Sequence, residues 1–257
     1  MLTKAWRSLA MAAASFALAP TSNGYAAEIR LVSAAAMQSV FKEIGPAFER
    51  SSGHKLIIHY GTIGAINQWI LGGEEADFVI GSSQSLPALV AGGKISAGSP
   101  AAICKTGIGI VAAEDSSFGK IASVEDFKRA LTDAKAVVYA DPVRGGAAGV
   151  HVAKMIEKMG LTEQLKPKLR LAAGGDITEV MLALGQGAIG MTQVSEIAEK
   201  KSAKLLGPFP GELQNYTVFV GAVPVTGKQP KAAEDFVRFL KEPAAVAVIK
   251  AKGMQVD

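Results

Sequence analysis

The sequence predicts an α/β fold of two lobes, each a mostly parallel sheet flanked by helices, joined by a hinge of two strands. Short, nearly continuous apolar runs alternate with helical patterns along the chain, as expected for parallel strands that are covered on both faces. Two longer β-rich stretches, residues 101–115 and 215–225, interrupt this alternation. One strand leaving the first lobe and one returning to it would build that lobe from both ends of the chain.

The first 26 residues predict a secretory signal peptide. Lys4 and Arg7 precede an apolar run from Leu9 to Ala19, and small residues lead to a cleavage position after Ala26. The apolar run is too short to span a bilayer. We therefore expect a mature chain outside the cytoplasmic membrane, most simply in the periplasm, without membrane insertion.

Repeated βα units follow the leader. In the first lobe, strands followed by helical patterns are predicted at residues 28–32, 55–60 and 77–83. In the second lobe they are predicted at residues 136–140, 168–172 and 188–193, and two helices close the chain at 230–242 and 243–253. We expect the first lobe to comprise residues 27–110 and 220–257 and the second lobe to comprise residues 111–219.

Composition excludes several classes of protein. Two of the 27 basic residues lie in the leader, which leaves 25 against 23 acidic residues and no polybasic block, so nucleic acid is not an expected partner. Cys104 is the single cysteine, which leaves no intramolecular disulfide. The three histidines are scattered, and "RGGAAG" lacks the ending of a nucleotide-binding P-loop. We therefore predict no metal and no cofactor.

Four βα turns carry the functional prediction. Each consists of small or hydroxyl residues at a helix start, where free backbone N–H groups and the helix dipole favour an anion. The turns lie at residues 33–39, 61–65, 142–149 and 173–178. Because parallel strands end at one edge of a sheet, these turns are expected to meet in the cleft between the lobes. The alternative is that each turn is an ordinary helix cap.

Several of these motifs resemble the periplasmic molybdate-binding proteins of ABC transporters across nearly the whole mature chain. A "GG..AD" segment is matched by Gly72, Gly73, Ala76 and Asp77, and a "DP...AG" turn is matched by Asp141, Pro142, Ala148 and Gly149. The resemblance implies a two-lobe periplasmic binding protein fold of type II, which closes on its ligand like a hinge.

Three polar contacts of that family are absent here. The resemblance places Ala36 and Ile63 where the family has oxyanion-binding serines, Gln193 where it has a tyrosine, and Ile177 at a backbone-donor position. Hydrogen bonds to a charged group contribute about 1.5–3 kcal/mol each, so losing two hydroxyls weakens binding by about a hundredfold or more. The resemblance therefore implies an anion site in which molybdate is a poor ligand.

Arg144 suggests a different ligand. It lies in the third turn, where its guanidinium fork matches a carboxylate, and the amides of Gly146, Ala147 and Ala148 can hold a second acidic group. The side chains expected to contact a planar organic acid are those of Ser33, Gln38, Tyr60, Thr62, Thr178 and Gln193. The alternative is that Arg144 is a solvated loop residue.

Two functions of different classes remain open. The first is a solute-binding protein that captures a small anion, an organic carboxylate rather than molybdate, for an inner-membrane ABC permease. The second is an isomerase of an unsaturated tricarboxylate, of the aconitate isomerase type, which is similar to the same family. There His59 or Asp176 would be the base, and Arg144 would stabilise the developing charge. A structural or adhesive role would instead require an empty cleft and a large exposed apolar patch.

Overall fold

The structure is a computed structural model, which describes residues 26–173, 176–198 and 200–256. The predicted signal peptide, apart from Ala26, lies outside these residues. The described residues form ten strands: β1 (Glu28–Ala34), β2 (Lys55–Gly61), β3 (Phe78–Ser82), β4 (Ala101–Thr106), β5 (Ile108–Ala113), β6 (Ala136–Ala140), β7 (Leu169–Ala172), β8 (Ala188–Gln193), β9 (Ala203–Pro208) and β10 (Thr217–Ala222).

The described residues also form ten α-helices, most of which follow a strand. They are α1 (Gln38–Ser52), α2 (Ile63–Leu71), α3 (Leu86–Ala91), α4 (Val124–Asp133), α5 (Ala147–Lys158), α6 (Thr162–Leu165), α7 (Ile177–Ala183), α8 (Val194–Ile197), α9 (Pro230–Leu240) and α10 (Pro243–Ala251). Short 3-10 turns precede α1 at Ala35–Met37 and α5 at Pro142–Arg144. Within the described ranges, no helix combines the length and the apolar character that a membrane span requires.

The strands form two sheets of five with the same arrangement. The first sheet has the order β2-β1-β3-β10-β4, in which β1, β2 and β3 are parallel and β10 is antiparallel to both of its neighbours. The second sheet has the order β7-β6-β8-β5-β9, in which β5 is the antiparallel strand. In each sheet the parallel strands end at one edge, so the βα turns are found together there.

The chain passes from the first sheet to the second at Gly107. The predicted β-rich stretch at 101–115 is two strands, β4 and β5, that lie in different sheets on either side of this glycine. The side chain of Gln214 accepts from the N–H of Ile108 at 2.8 Å and donates to its carbonyl at 3.0 Å. A Cβ at Gly107 would lie 2.8 Å from Gln214 Nε2, so glycine allows this contact. The lobe limits expected at residues 110 and 219 remain a prediction, and the sheet memberships favour crossings near Gly107 and between Pro208 and Thr217.

Both chain ends build the core of the first lobe. Phe236 of α9 packs against Phe48 at a ring-centroid distance of 4.9 Å and against Phe41 at 5.6 Å, both from α1. The second lobe has separate apolar clusters, in one of which Phe127 packs against Phe209 at 4.9 Å. Each lobe therefore packs around its own apolar residues, and the cleft between them is free to carry polar groups.

Asp77, the acidic residue of the "GG..AD" motif, holds three segments of the first lobe together. Its buried carboxylate accepts hydrogen bonds from the backbone N–H groups of Arg30, Lys228 and Gln229 at 2.9, 2.7 and 3.0 Å. These contacts join β1, β3 and the chain just before α9. The motif thus has a structural reason in this chain, since removing the carboxylate would leave three donors without their acceptor.

Candidate functional site

The second and third βα turns meet across the two lobes. Thr62 Oγ1 donates a hydrogen bond to the carbonyl of Arg144 at 2.8 Å, and the N–H of Gly64 donates to the carbonyl of Gly145 at 3.2 Å. Gly145 has φ of 70°, and a Cβ on it would lie 2.8 Å from the Cα of Gly64. The close approach therefore depends on a pair of glycines, and it closes one side of the cleft.

A cavity of about 50 Å³ lies behind this contact, between the lobes, and we call it the inner cavity. A cavity that holds a single water molecule has a volume of about 10–15 Å³ on the same scale, so the inner cavity suits one compact polar group. Its lining comes from both sheets' turns: Ala34, Ala35, Ala36, Gly61, Thr62, Ile63, Ala140, Gly146, Ala147, Ala148, Ile177, Thr192, Gln193, Glu196, Thr217 and Phe219. Of the residues expected at the ligand, eight line it: Ala36, Thr62, Ile63, Gly146, Ala147, Ala148, Ile177 and Gln193.

Backbone N–H groups are the principal donors of the inner cavity. Gly146 is the N-cap of α5 and Ala34 precedes the 3-10 turn before α1, and neither helix start has a side-chain cap. Such N–H groups lack an intrahelical acceptor and favour an anion. At α2, by contrast, the Thr62 hydroxyl caps the helix by accepting from the N–H of Ala65 at 3.1 Å. The open donors thus come from the first turn of one lobe and the third turn of the other.

Gln193 lies at the point where the two sheets approach each other. Its Nε2 donates to Thr217 Oγ1 at 2.9 Å, which joins the end of β8 to the start of β10. Its Oε1 is buried and has no hydrogen-bond partner among the described residues. A ligand in the inner cavity that carries an O–H or N–H group would satisfy this oxygen.

Glu196 is a lining residue that the sequence reasoning missed. It lies on α8, and its carboxylate accepts from the Thr192 hydroxyl and from the Gln193 backbone N–H. Desolvation by burial raises the pKa of Glu196 despite these hydrogen bonds, and the nearby carboxylates of Glu179 and Asp176 raise it further. A single glutamate after a strand carries no motif, so only the fold reveals that it faces the cleft.

Arg144 lies in a neighbouring space of about 570 Å³ on the outer side of the Thr62–Arg144 contact, which we call the outer groove. The groove is lined by Ala35, Gln38, Tyr60, Gly61, Thr62, Ala65, Gln68, Trp69, Val143, Arg144 and Ala173. Arg144 is exposed, and none of the described residues accepts a hydrogen bond from its guanidinium. Burial raises the pKa of Tyr60 to about 12, so its hydroxyl is neutral in the groove. The single pocket expected from the sequence is therefore two adjacent spaces that share Ala35, Gly61 and Thr62.

Four of the expected residues line neither space. Ser33 and Thr178 are buried; the Ser33 hydroxyl donates to the Ala34 carbonyl at 3.3 Å, and the Thr178 hydroxyl has no partner among the described residues. His59 lies on the edge strand β2, 2.7 Å from Glu74 and stacked on Trp69 at a ring distance of 3.9 Å. Asp176 precedes α7 without capping it, and the preceding residues 174 and 175 of the fourth turn lie outside the described part of the chain.

A larger groove of about 600 Å³ runs along the outer edge of the first sheet, between β4 and the helices α9 and α10. Its wall is mostly apolar and includes the buried Cys104. Burial raises the pKa of the Cys104 thiol to about 12. The groove has no helix start in its lining, and all of its lining residues, which include Lys105, Lys241 and Lys250, belong to the first lobe, so an anion there would not bridge the two lobes. Within the described ranges, no group of three or more His, Cys, Asp or Glu side chains is placed to hold a metal ion.

Comparison with known proteins agrees with this architecture. The sequence profile of the family described as bacterial extracellular solute-binding protein matches residues 29–255. An aconitate isomerase from a Pseudomonas species is 25% identical over 233 residues, which cover 88% of this chain and 87% of the relative. The molybdate-binding protein ModA of Azotobacter vinelandii is 29% identical over 238 residues, which cover 89% and 90% of the two chains.

A solved structure extends the likeness to three dimensions. The periplasmic molybdate-binding protein of Azotobacter vinelandii superposes with a TM-score of 0.76 at 18% identity, covering 89% of this chain and 99% of that one. At this identity the likeness concerns the fold. The predicted fold class, a two-lobe periplasmic binding protein with a mostly parallel sheet in each lobe, is confirmed.

Proposed function

The chain belongs to the family of bacterial extracellular solute-binding proteins and is ModA-like, and from this premise we propose that it captures a small anion in the inner cavity for an ABC permease. We propose further that this occurs in the periplasm, after removal of the leader at residues 1–26. The observation that carries the proposal is that uncapped helix starts from both lobes line one cavity between them. An anion there satisfies donors from both lobes at once.

Closure follows from the same contacts. The Thr62–Arg144 and Gly64–Gly145 hydrogen bonds exist only when the lobes approach each other. A ligand that binds the donors of both lobes stabilises this closed arrangement over an open one by its difference in affinity for the two. A permease can then distinguish a loaded protein from an empty one by the relative position of the lobes.

We propose an organic carboxylate as the ligand in preference to molybdate. Ala36 and Ile63 line the inner cavity without hydroxyl groups, so a compact oxyanion loses two side-chain donors. The inner cavity suits one carboxylate, and Arg144 in the adjoining outer groove offers a charged fork to a second one. A di- or tricarboxylate uses both spaces, whereas molybdate uses only the inner one.

Thermal unfolding with added anions tests this assignment. Trans-aconitate is expected to raise the Tm of the purified protein, and molybdate at the same concentration is expected to raise it less. Arg144→Ala, at an exposed side chain, should leave the Tm of the free protein unchanged and reduce the shift with trans-aconitate. A larger shift with molybdate than with trans-aconitate would contradict the ligand assignment.

A second candidate function is isomerisation of an unsaturated tricarboxylate, favoured by the similarity to the aconitate isomerase. A base would take a proton from the methylene carbon beside one carboxylate, and the same proton would return to the far alkene carbon, which moves the double bond. His59 and Asp176 were predicted as the base, but neither lines the inner cavity, whereas Glu196 does. Proton NMR of trans-aconitate incubated with the protein tests for isomerisation. A growing cis-aconitate signal supports this activity, and binding without conversion contradicts it.

A further inference from the structure

Within the described part of the chain, one ionisable side chain lines the inner cavity, and it is acidic. Glu196 lines the cavity together with the donors that favour an anion. It lies on α8, which contacts the 3-10 turn Ala35–Met37 of the other lobe, so its carboxyl faces the closing interface. An anion bound in this cavity of about 50 Å³ would therefore lie beside an ionised Glu196 in its wall, and the two negative groups would repel each other.

The described residues around Glu196 do not supply a counter-charge. Among the described residues, no cationic side chain lies within 4 Å of its carboxylate; Lys200 pairs with Glu179 of α7, and Lys204 of β9 donates to the Ser116 carbonyl. The other elements packed against α8, namely β5, β8 and the 3-10 turn Ala35–Met37, contain no ionisable residue. Desolvation, together with Asp176 and Glu179, raises the pKa of Glu196. Each of these features favours the protonated carboxyl.

Gln193 provides an independent observation. Its side chain is 6% exposed, its Nε2 is engaged by Thr217, and its Oε1 has no hydrogen-bond partner in the described part of the chain. The cavity therefore holds two acceptors, Gln193 Oε1 and the Glu196 carboxylate, beside the backbone donors. A fully deprotonated oxyanion offers neither of them a hydrogen, and a ligand with a hydroxyl or acidic hydrogen can satisfy one.

We propose that Glu196 shares one proton with the bound anion, so that ligand binding takes up a proton and the cavity prefers a hydrogen-bearing anion to a fully deprotonated one. This inference rests on the proposed function, because it assigns the anion to the inner cavity. At higher pH the complex can lose this proton, but the bound anion and the ionised Glu196 then repel each other. Affinity should then fall by up to about tenfold for each pH unit above the range in which free Glu196 releases its proton.

Calorimetric titration of the full mature protein tests the proposal with trans-aconitate and sulfate as probes. Titrations between about pH 5.5 and pH 8.5, in two buffers of different ionisation enthalpy, give both the affinity and the number of protons taken up. The variant Glu196→Gln keeps the shape of the side chain and carries permanent N–H donors. Glu179→Gln is the matched control, because it removes a nearby carboxylate that does not line the cavity.

The expected results separate the two acidic residues. Wild type should take up as much as one proton on binding and lose affinity with rising pH, whereas Glu196→Gln should take up none. Titration of the probe itself affects both proteins equally, so it cancels in the ratio of wild-type to Glu196→Gln affinity. This ratio should fall as the pH rises, for each probe. Glu196→Gln should also bind sulfate about tenfold or more tightly than wild type at pH 8.5, and Glu179→Gln should retain proton uptake.

Two outcomes would overturn the inference, and they differ in meaning. Binding without proton uptake, or a pH profile of Glu196→Gln equal to that of wild type, would contradict the shared proton while leaving the anion site intact. Failure of wild type to bind either probe at any pH would contradict the proposed function as well. The wild-type proton count decides the first point even if Glu196→Gln does not fold.

Discussion

The Thr62 hydroxyl donates a hydrogen bond of 2.8 Å to the carbonyl of Arg144 and thereby joins the two lobes. The same oxygen accepts from the N–H of Ala65 at 3.1 Å and caps α2. The sequence predicts that this hydroxyl contacts the ligand, which stays a prediction; in the structure Thr62 lines the inner cavity and its hydroxyl bonds across the lobes. The backbone of the Arg144 turn, and not its guanidinium, therefore makes this contact between the lobes.

Replacing Thr62 by valine should weaken both the helix cap and the closed state. Loss of the cap lowers the free energy of unfolding by about 1 kcal/mol, and loss of the interlobe bond weakens trans-aconitate binding by about fivefold. Urea unfolding and calorimetry measure the two effects. Thr62→Ser retains the oxygen and should behave like wild type; equal defects in both variants would contradict this role of the hydroxyl.

Gly64→Ala should open the lobes without weakening the fold. A Cβ at Gly64 would lie 3.0 Å from the Arg144 carbonyl oxygen and from the Gly145 Cα, so closure is obstructed. Alanine is about 1 kcal/mol better than glycine inside a helix, and unfolding should therefore not become easier. Small-angle scattering is expected to show a larger radius of gyration with ligand present, and the affinity should fall about tenfold.

A helix glycine of the same lobe provides the control for that substitution. A Cβ at Gly45 would meet only Leu56 Cδ1, at an ordinary 3.7 Å. Gly45→Ala should therefore leave both the affinity and the ligand-bound radius unchanged. If Gly64→Ala also closes normally on ligand, the pair of glycines does not control closure.

Asp77→Ala should destabilise the first lobe strongly. The substitution leaves the backbone donors of Arg30, Lys228 and Gln229 without the carboxylate that they share, and we expect a loss of about 3–5 kcal/mol in the free energy of unfolding. Glu75→Ala is the matched control, because Glu75 makes only exposed ion pairs, with Arg30 and Lys228. Its effect should be small, since water and salt screen such pairs; similar losses for both variants would contradict the assignment.

Cys104 should make stability depend on pH in the alkaline range. Burial raises the pKa of its thiol to about 12 in the folded protein, whereas an unfolded thiol titrates near about 8.5. Above about pH 8.5 the unfolded chain therefore binds fewer protons than the folded protein does. The resulting stabilisation of the folded state is complete below about pH 8.5. It is lost progressively up to about pH 12, by as much as about 1.4 kcal/mol per pH unit.

The comparison of wild type with Cys104→Val isolates this contribution, because the other titrating groups are common to both proteins. Urea unfolding between about pH 8 and pH 10.5 should show wild type losing stability relative to the variant. Parallel curves would show that the thiol ionises without cost in the folded state.

The alternation of apolar runs and helices made the fold predictable from the sequence. The runs that became β3 and β6 are buried at every position, so their continuous apolar pattern correctly indicated a sheet covered on both faces. The stretch at 101–115 was harder to divide, because β4 and β5 read as one strand and only the Gly107–Gln214 contact marks the crossing. That contact joins residues far apart in the sequence, where no local pattern reports it.

The site was predictable in its backbone and less so in its side chains. Small residues at a helix start are a local signal from which the sequence predicts ligand contacts, and those of the first and third turns line the inner cavity. That they contact a ligand stays a prediction. The separation of Arg144 from the inner cavity and the presence of Glu196 within it depend on how the lobes pack. Both are tertiary facts, and neither residue carries a spacing rule that would reveal them.

One titration tests the anion site most directly. Backbone amide signals of Ala36 and Ile63 in the first lobe and of Ala147 and Ala148 in the second should shift together, with a single Kd, when trans-aconitate is added to the ¹⁵N-labelled protein. Shifts confined to one lobe would contradict an anion held between the lobes. Shifts along the groove between β4 and the helices α9 and α10, with the inner cavity unaffected, would contradict it as well.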